Sequence, residues 1–268
     1  MGISKKNLTK RLSSSAVIIT IAYFVIFHVP VYVFLVAVEA FVLVALHEFF
    51  TIAEKKDIAV NKKLGLVFGA MLPLCVYFPY EPILVAAMLI VLFLVNFKQP
   101  QRSSSIVNVA VTFFGILYVA WFFSFLAKIR CVPYGPQWVC FLIFVIKMGD
   151  AGAYFIGSKF GKTQLTKYIS PNKTVEGAIG GLMVAILSAM ISKMYLPHIE
   201  LLQLGLLGIL LGVVAQIGDL AESLIKRDVG VKDSGAIPGL GGILDVLDSL
   251  LFTAPLLFYY LTVVLRIQ

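Results

Sequence analysis

Residues 201–225 read LLQLGLLGILLGVVAQIGDLAESLI, and their composition decides the fold class. No charged residue occurs in this stretch before Asp219. Apolar residues would occupy every side of a helix drawn through the segment, and they lack the alternation of a strand. About 20 helical residues are needed to cross a bilayer, and a helix satisfies its own backbone hydrogen bonds in lipid. The stretch therefore predicts a transmembrane helix.

Comparable apolar segments recur along the whole chain. Of the 268 residues, 60% are hydrophobic and only 13% are charged, and the mean hydropathy is +0.97. A soluble domain of this length requires more polar surface. We therefore predict an all-α, polytopic integral membrane protein with about nine transmembrane helices, at 13–29, 31–53, 64–80, 82–97, 106–127, 136–157, 175–196, 201–225 and 249–267.

The distribution of lysine and arginine predicts the orientation of these helices. With the N-terminus in the cytoplasm, 17 of these residues fall in inside segments and 3 in outside segments, as the positive-inside rule requires. The C-terminus then lies outside, and the two longest loops, 158–174 and 226–248, face the cytoplasm. The net charge of +8 lies mostly in short loops between spans, which argues against binding of nucleic acid.

Polar residues form a stripe on the last turns of the eighth predicted span. Asp219, Glu222, Ser223 and Lys226 are spaced at i, i+3, i+4 and i+7, which places them on one face of a helix. A helix end that meets water can show such a stripe. Asp219, however, precedes Lys226 by two turns, or roughly 10 Å at 1.5 Å per residue. We expect Asp219 to lie below the membrane surface, against a polar neighbour.

The loop 226–248 has the composition of a phosphate-binding segment. Basic residues alternate with acids along it, and residues 238–242 read PGLGG. Such a glycine-rich turn exposes backbone amides that can approach phosphate. We predict phosphate binding by the basic residues and by the glycines of the turn, namely Lys226, Arg227, Lys232, Gly239, Gly241 and Gly242.

Two aspartates, Asp245 and Asp248, follow the turn and lead into the last span. Carboxylates at this place suit Mg²⁺, a hard ion that takes oxygen ligands and substrate phosphates. With the lysines they would stabilise the charge of a phosphoryl or nucleotidyl transfer. The alternative is an ordinary basic loop that follows the positive-inside rule, with the two aspartates as favourable acids at a helix N-terminus.

The loop 158–174 ends with similar chemistry. Lys173 stands just before the seventh span, and Thr174 is suited to cap that helix, whose N-terminus attracts anions. By itself this pattern is explained by a turn and a cap. It gains weight because the loop 226–248 lies on the same side of the membrane.

Other predicted spans also contain charged residues, which are costly in a membrane and often functional. Lys147 and Asp150 are three apart in the sixth span, so they form either a structural ion pair or a functional pair. In the second span, Glu39 has no evident partner and no assigned role. Glu48 lies near the cytoplasmic end of that span, where it can reach water.

Residues from about 145 to 250 resemble the phosphatidate cytidylyltransferases, which are also called CDP-diacylglycerol synthases. The segments that carry the resemblance are Gly149-Asp150-Ala151-Gly152-Ala153-Tyr154, residues 170–177, Gly218-Asp219-Leu220-Ala221-Glu222-Ser223, Lys226-Arg227, Lys232-Asp233, residues 238–242 and Asp245-Val246-Leu247-Asp248. Two residues depart from the family pattern: Leu240 stands where the family has histidine, and Val246 where it has arginine. The combination of segments is specific, whereas the first 140 residues match only as membrane spans.

The resemblance implies transfer of the cytidylyl group of CTP to phosphatidic acid, giving CDP-diacylglycerol and pyrophosphate, as a step of phospholipid biosynthesis. It implies a requirement for Mg²⁺ and leaves open whether a second cation joins it. We expect the catalytic residues to be Asp219, Ser223, Lys226, Asp245 and Asp248. Of these, Asp219, Asp245 and Asp248 are the expected metal ligands. Lys173 joins the phosphate-binding residues, and Asp150, Glu222 and Asp233 are additional candidates that ligate metal or orient a lysine.

The chain divides functionally into residues 1–140, with about five spans, and a catalytic membrane region at 141–268. We expect a multi-pass protein of the plasma (inner) membrane of a bacterium, with CTP, phosphatidic acid and membrane lipid as its partners. We also expect a homodimer. Two other functions stay open: a CTP-dependent lipid or polyprenol kinase, and a transporter that uses its intramembrane charges as an ion path.

Overall fold

The structure is a computed structural model that describes residues 20–78, 80–97, 105–235 and 241–267. Within these ranges the chain forms nine helices and a two-stranded sheet. The helices are α1 (20–27), α2 (Val31–Glu54), α3 (Lys62–Leu74), α4 (Glu81–Phe97), α5 (Ser105–Cys131), α6 (Gly135–Phe160), α7 (Val175–Met194), α8 (Leu201–Asp228) and α9 (Ile243–Val264).

Six of these helices are long and apolar enough to cross a membrane: α2 and α5–α9. The chain is therefore a multi-pass membrane protein. The shorter α3 has 13 residues and α4 has 17, less than the roughly 20 that a bilayer requires. Residues 13–19 of the first predicted span lie outside the described residues. Nine spans and the orientation of the termini consequently stay predictions.

Helices α2, α5 and α9 pack against one another and enclose an aromatic core. Tyr118 of α5 contacts Phe252 of α9, with ring centroids 5.9 Å apart, and Phe49 of α2, at 6.1 Å. These contacts join the N-terminal helices to the last helix. The described helices α2 and α5 thus pack as one structure with the last helix, α9.

Helices α6, α7 and α8 form the second part of the fold and approach closely through small residues. A Cβ atom added to Gly181 of α7 would lie 2.8 Å from the Cβ of Ala153 and 2.9 Å from the carbonyl oxygen of Gly149, both on α6. Small residues are the usual means by which membrane helices come close enough for van der Waals packing. The glycines therefore set the separation of α6 and α7.

The predicted loop 158–174 contains a β-hairpin, which corrects the all-α prediction in this detail. Strand β1 (Gln164–Thr166) pairs in antiparallel fashion with β2 (Ser170–Thr174), with Gln164 opposite Thr174 and Thr166 opposite Ser170. The hairpin leads directly into α7, and the Oγ1 of Thr174 accepts a hydrogen bond from the Gly177 N–H at 3.1 Å. The predicted N-cap role of Thr174 is confirmed.

The predicted loop 226–248 is shorter than expected. Helix α8 continues to Asp228, and α9 begins at Ile243 rather than at 249. The prediction of where the last helix begins was wrong because carboxylates cap the backbone amides at its N-terminus. As a result, Asp245 and Asp248 lie in the first two turns of α9.

Candidate active site

A cavity of about 440 Å³ lies between α6, α7, α8 and the β-hairpin. Its apolar part is lined by small and branched residues of the helices, among them Val145, Ala185 and Gly212. The polar residues that line it are Asp150, Tyr154, Ser158, Ser170, Asn172, Lys173, Thr174, Gln216 and Asp219. The cavity therefore joins an apolar interior to a set of charged and hydrogen-bonding groups, which suits an amphipathic ligand.

Lys173 and Asp219 form an ion pair inside this cavity. The Nζ of Lys173 lies 2.5 Å from the Oδ2 of Asp219, and the two side chains are 29% and 33% exposed. Lys173 comes from β2 and Asp219 from the polar stripe of α8. The structure thus brings together one candidate from each of the two segments that the sequence analysis singled out, and Asp219 does face a polar neighbour.

Asp150 adds a second carboxylate to the cavity lining. The Nζ of Lys147 lies 3.5 Å from its Oδ2, so the predicted pairing within α6 is present. The same Nζ donates a hydrogen bond to the carbonyl oxygen of Val246 at 3.3 Å, which links α6 to α9. Lys147 therefore joins the first turn of α9 to α6.

Asp248 lies next to this group from the side of α9. It is buried, and it interacts electrostatically with Asp219, Lys147 and Asp150. Its Oδ1 accepts a hydrogen bond from the Ser249 N–H at 2.5 Å. Carboxylates from α6, α8 and α9 therefore share one region of the molecule.

A second polar cluster centres on Lys226. Its Nζ lies 2.5 Å from Glu222 Oε2 and 2.5 Å from Asp245 Oδ1. Glu222 is fully buried. Two carboxylates thus neutralise Lys226, which therefore joins α8 to α9. The predicted role of Lys226 in binding phosphate requires that it leave these partners.

Asp245 serves as a cap of α9. Its Oδ2 accepts hydrogen bonds from the Gly242 N–H at 2.6 Å and the Ser234 N–H at 2.9 Å, while its Oδ1 meets Lys226. Both oxygens are therefore engaged by the protein itself. The expected metal role of Asp245 and the expected phosphate contact of the Gly242 amide do not agree with this arrangement, because the two groups bind each other.

Glu48 of α2 completes the same cap, a role that the sequence analysis missed. Its Oε1 accepts a hydrogen bond from the Ile243 N–H at 3.1 Å, and its Oε2 accepts one from the Leu244 N–H at 2.9 Å. The hydroxyl of Ser234 also donates to Oε2, at 3.1 Å. Glu48 is only partly buried, which is compatible with the expectation that it can reach water. The available signal was a carboxylate without a local partner on an apolar helix.

The remaining candidates lie apart from the cavity lining. Arg227 donates hydrogen bonds to the carbonyl oxygens of Ile169 and Val231, each at 3.2 Å, and so joins the hairpin to the segment after α8. Lys232 and Asp233 are exposed, and Ser223 is partly exposed. Gly241 has a φ of +82°, which favours glycine. Gly239 and Leu240 lie outside the described residues.

The contacts that the candidate carboxylates make within the protein decide which of them could bind Mg²⁺. In the part of the chain that the structure describes, no group of three or more His, Cys, Asp or Glu side chains is arranged to hold a metal ion. The expected triad of Asp219, Asp245 and Asp248 is therefore not assembled. Mg²⁺ often takes only one or two protein carboxylates and completes its shell with water and substrate phosphates. Both oxygens of Asp245 are engaged by protein groups, whereas the contacts of Asp219 and Asp248 described above involve one oxygen each. Asp219 and Asp248 are therefore the better candidates for holding Mg²⁺.

Comparison with known proteins gives a consistent result along the chain. A sequence model described as the cytidylyltransferase family matches residues 9–264. The phosphatidate cytidylyltransferase of Synechocystis sp. is 32% identical over 97% of this chain and 98% of its own length.

Two further relatives match a shorter stretch at higher identity. The phosphatidate cytidylyltransferase of Bacillus subtilis is 43% identical over 54% of this chain and 55% of its own length. That of Staphylococcus epidermidis is 40% identical over 57% of this chain and 59% of its own length. These two matches span little more than half the length of each relative.

Proposed function

This chain belongs to the cytidylyltransferase family, and we propose that it transfers the cytidylyl group of CTP to phosphatidic acid, releasing CDP-diacylglycerol and pyrophosphate. The similarity to the Synechocystis phosphatidate cytidylyltransferase supports this proposal, because that protein aligns with nearly the whole chain. The reaction is a nucleotidyl transfer that belongs to phospholipid biosynthesis.

The Lys173–Asp219 pair in the cavity is the observation that carries the proposal. The reaction joins a soluble anion to a lipid, so its site must hold phosphate charge and accept an apolar group at once. The cavity meets both needs, because charged groups line one part of it and apolar helix residues line another. Lys173 supplies the positive charge, and Ser170 and Asn172 supply hydrogen-bonding groups beside it.

The proposed chemistry needs no nucleophile from the protein. An oxygen of the lipid phosphate attacks the α-phosphorus of CTP, the bond to the bridging oxygen of pyrophosphate breaks, and pyrophosphate leaves. The protein then has to position two phosphates and stabilise the negative charge of the transition state. Lys173 is the cation placed to bind one of these phosphates. Lys226 instead holds Glu222 and Asp245, which fixes α9 against α8.

Mg²⁺ belongs to the proposal as the expected cofactor. Asp219 and Asp248 are the residues that would hold it, with Asp150 beside them. When bound, Mg²⁺ would neutralise phosphate oxygens and so assist departure of pyrophosphate. Lys173, which contacts Asp219, would hold a phosphate oxygen beside these carboxylates.

Several finer features complete the proposal. The site faces the cytoplasm, the N-terminus is cytoplasmic and the C-terminus lies outside, in line with the distribution of basic residues. The membrane is the inner (plasma) membrane of a bacterium, which agrees with the bacterial sources of the relatives. We also propose a homodimer, which crosslinking in native membranes would test.

A product assay on detergent-purified full-length protein tests the function. The assay supplies CTP labelled at the α-phosphate, phosphatidic acid and Mg²⁺, and it follows label into the lipid fraction. Labelled CDP-diacylglycerol, formed with one pyrophosphate per turnover, is the expected result. Label that stays soluble as CDP while phosphate enters a lipid would instead identify a CTP-dependent lipid kinase. A folded protein that neither binds CTP nor modifies lipid would favour the transporter.

Leu240 and Val246 differ from the family pattern, so the assay includes one further variant. A Leu240→His variant is assayed beside the natural chain. If only the variant forms CDP-diacylglycerol, the family activity holds and the natural chain is an impaired member. Equal activity would show that the side chain at 240 is dispensable for turnover.

A further inference from the structure

We infer that Glu48 is a positioning residue for the reaction, although it lies on α2, outside the segments that carry the family motifs. It acts by holding the N-terminus of α9, and thereby Asp245 and Asp248, in place against α8. The expected effect of Glu48 on kcat rests on the proposed function. The expectation that Glu48 holds the N-terminus of α9 rests on the fold alone.

The carboxylate of Glu48 contacts the N-terminus of α9 and the nearby Ser234. Both carboxylate oxygens accept backbone N–H groups of the first turn of α9, from Ile243 at 3.1 Å and from Leu244 at 2.9 Å. The first N–H groups of a helix have no partner within the helix, so a side chain from elsewhere must supply one. Glu48 therefore provides from α2 what a local cap residue usually provides.

Two glycines, Gly235 and Gly242, lie directly beside the carboxylate of Glu48. A Cβ atom added to Gly235 would lie 2.4 Å from Glu48 Oε1, and one added to Gly242 would lie 2.5 Å from Oε2. Any residue with a side chain at either position would collide with the carboxylate. The two glycines thus let the backbone close around Glu48 on both sides.

Ser234 connects this cap to the charged cluster on α8. Its hydroxyl donates to Glu48 Oε2 at 3.1 Å and accepts the Asp245 N–H at 3.3 Å, and its own N–H donates to Asp245 Oδ2 at 2.9 Å. Asp245 in turn contacts Lys226. A shift of the α9 N-terminus therefore moves Asp245 directly and Asp248 with it, one turn further along.

The product assay tests the inference by comparing the natural chain with three variants, Glu48→Ala, Glu48→Gln and Glu48→Asp. Glu54→Ala is the matched control, because Glu54 lies on the same helix in an exposed pair with Lys62. We expect Glu48→Ala to lower kcat by roughly 10- to 100-fold, as misplaced catalytic groups do, with both KM values within about twofold of the natural chain. Glu48→Gln keeps one acceptor at the same length and should retain more activity, and Glu54→Ala should behave as the natural chain.

Hydrogen exchange of the peptide spanning 241–250 supplies a readout that does not depend on activity. The amides of Ile243 and Leu244 should exchange faster in Glu48→Ala, while peptides from α6 and α7 keep their exchange rates. Unchanged exchange at 241–250, or unchanged kcat in a folded Glu48→Ala protein, would overturn the inference. A rise in KM for CTP at constant kcat would overturn it too, since Glu48 would then contact substrate.

Two precautions keep the outcomes separate. If the natural chain forms no CDP-diacylglycerol, the proposed function fails, and the exchange measurement still decides whether Glu48 holds α9. If Glu48→Ala does not fold, Ser234→Ala removes one link of the same network and should give a smaller change of the same kind in kcat and in exchange. Normal kcat and exchange in Ser234→Ala would then count against the network.

Discussion

Lys173 and Asp219 stand 2.5 Å apart in the cavity, although one belongs to a β-hairpin and the other to a membrane-spanning helix. Both side chains are about one-third exposed, so the pair contributes little to stability. We propose that its importance is chemical. In the proposed function Lys173 would bind a phosphate oxygen and Asp219 would bind a cation.

Replacement of Asp219 by asparagine should stop label transfer almost completely. The change removes one of the two carboxylate charges in the cavity lining while it keeps the shape of the side chain. A loss of kcat on the order of 10²- to 10³-fold is therefore expected. Asp228→Asn serves as the control, because Asp228 belongs to the same helix and pairs with Lys56 at the exposed surface. Comparable losses in both variants would show that the effect is not specific to the cavity.

Lys173→Ala should raise the KM of a phosphate-bearing substrate by roughly tenfold, because a charge-assisted contact to phosphate is lost. Lys173→Arg keeps the charge and should recover part of the affinity. Lys167→Ala, at the exposed turn of the same hairpin, is the control and should leave KM unchanged. Initial rates with each substrate varied in turn measure the effect. A loss in kcat alone would assign Lys173 to transition-state stabilisation instead of binding.

Asp245 and Asp248 should respond differently to Mg²⁺. Asp248→Asn should raise the Mg²⁺ concentration needed for half-maximal activity, since it removes one of the two available carboxylates. Asp245→Asn should leave that concentration unchanged and lower stability by about 1–3 kcal/mol, because Lys226 loses a charged partner. Activity titrations with Mg²⁺ and thermal unfolding in detergent provide the two measurements. A Mg²⁺ effect confined to Asp245→Asn would reverse the assignment.

Gly181→Val should separate α6 from α7 and destabilise the protein by about 1–3 kcal/mol through overpacking. The reason is the distance of 2.8 Å that a new Cβ atom would have from the Cβ of Ala153. Gly205→Ala on α8 is the control, because no atom lies within 4 Å of a Cβ built there. Thermal unfolding in detergent should show a lower midpoint for Gly181→Val only. Equal midpoints would mean that the helices can move apart without cost.

Most of the helical architecture was predictable from local composition. Eight of the predicted spans overlap the described helices α2–α9, and the six long apolar helices account for the membrane character. The predicted start of the last helix was wrong because capping side chains determine where that helix begins. Helix α9 begins at Ile243 because Asp245 and Glu48 satisfy its first amides, and Glu48 is too distant in sequence to be recognised as part of that helix.

For the candidate site, too, one part could be predicted from the sequence and another part could not. The spacing of Asp219, Glu222, Ser223 and Lys226 indicated one polar helix face, and Lys173 was singled out from its place before α7. The distribution of roles among the carboxylates was not accessible in this way. Asp219, Asp245 and Asp248 look equivalent as metal ligands in sequence, whereas in the structure Lys226 and the amides of Ser234 and Gly242 already engage Asp245.

The amino-acid sequence by itself determined that the chain spans the membrane as helices, because apolar side chains and internally bonded backbone are properties of each segment alone. It also determined the family motifs and the types of residue available for phosphate chemistry. Only the tertiary structure decided which of these residues meet. Glu48 caps a helix that begins 195 positions further along the chain, and such a contact depends on how α2, α8 and α9 pack, which no local pattern encodes.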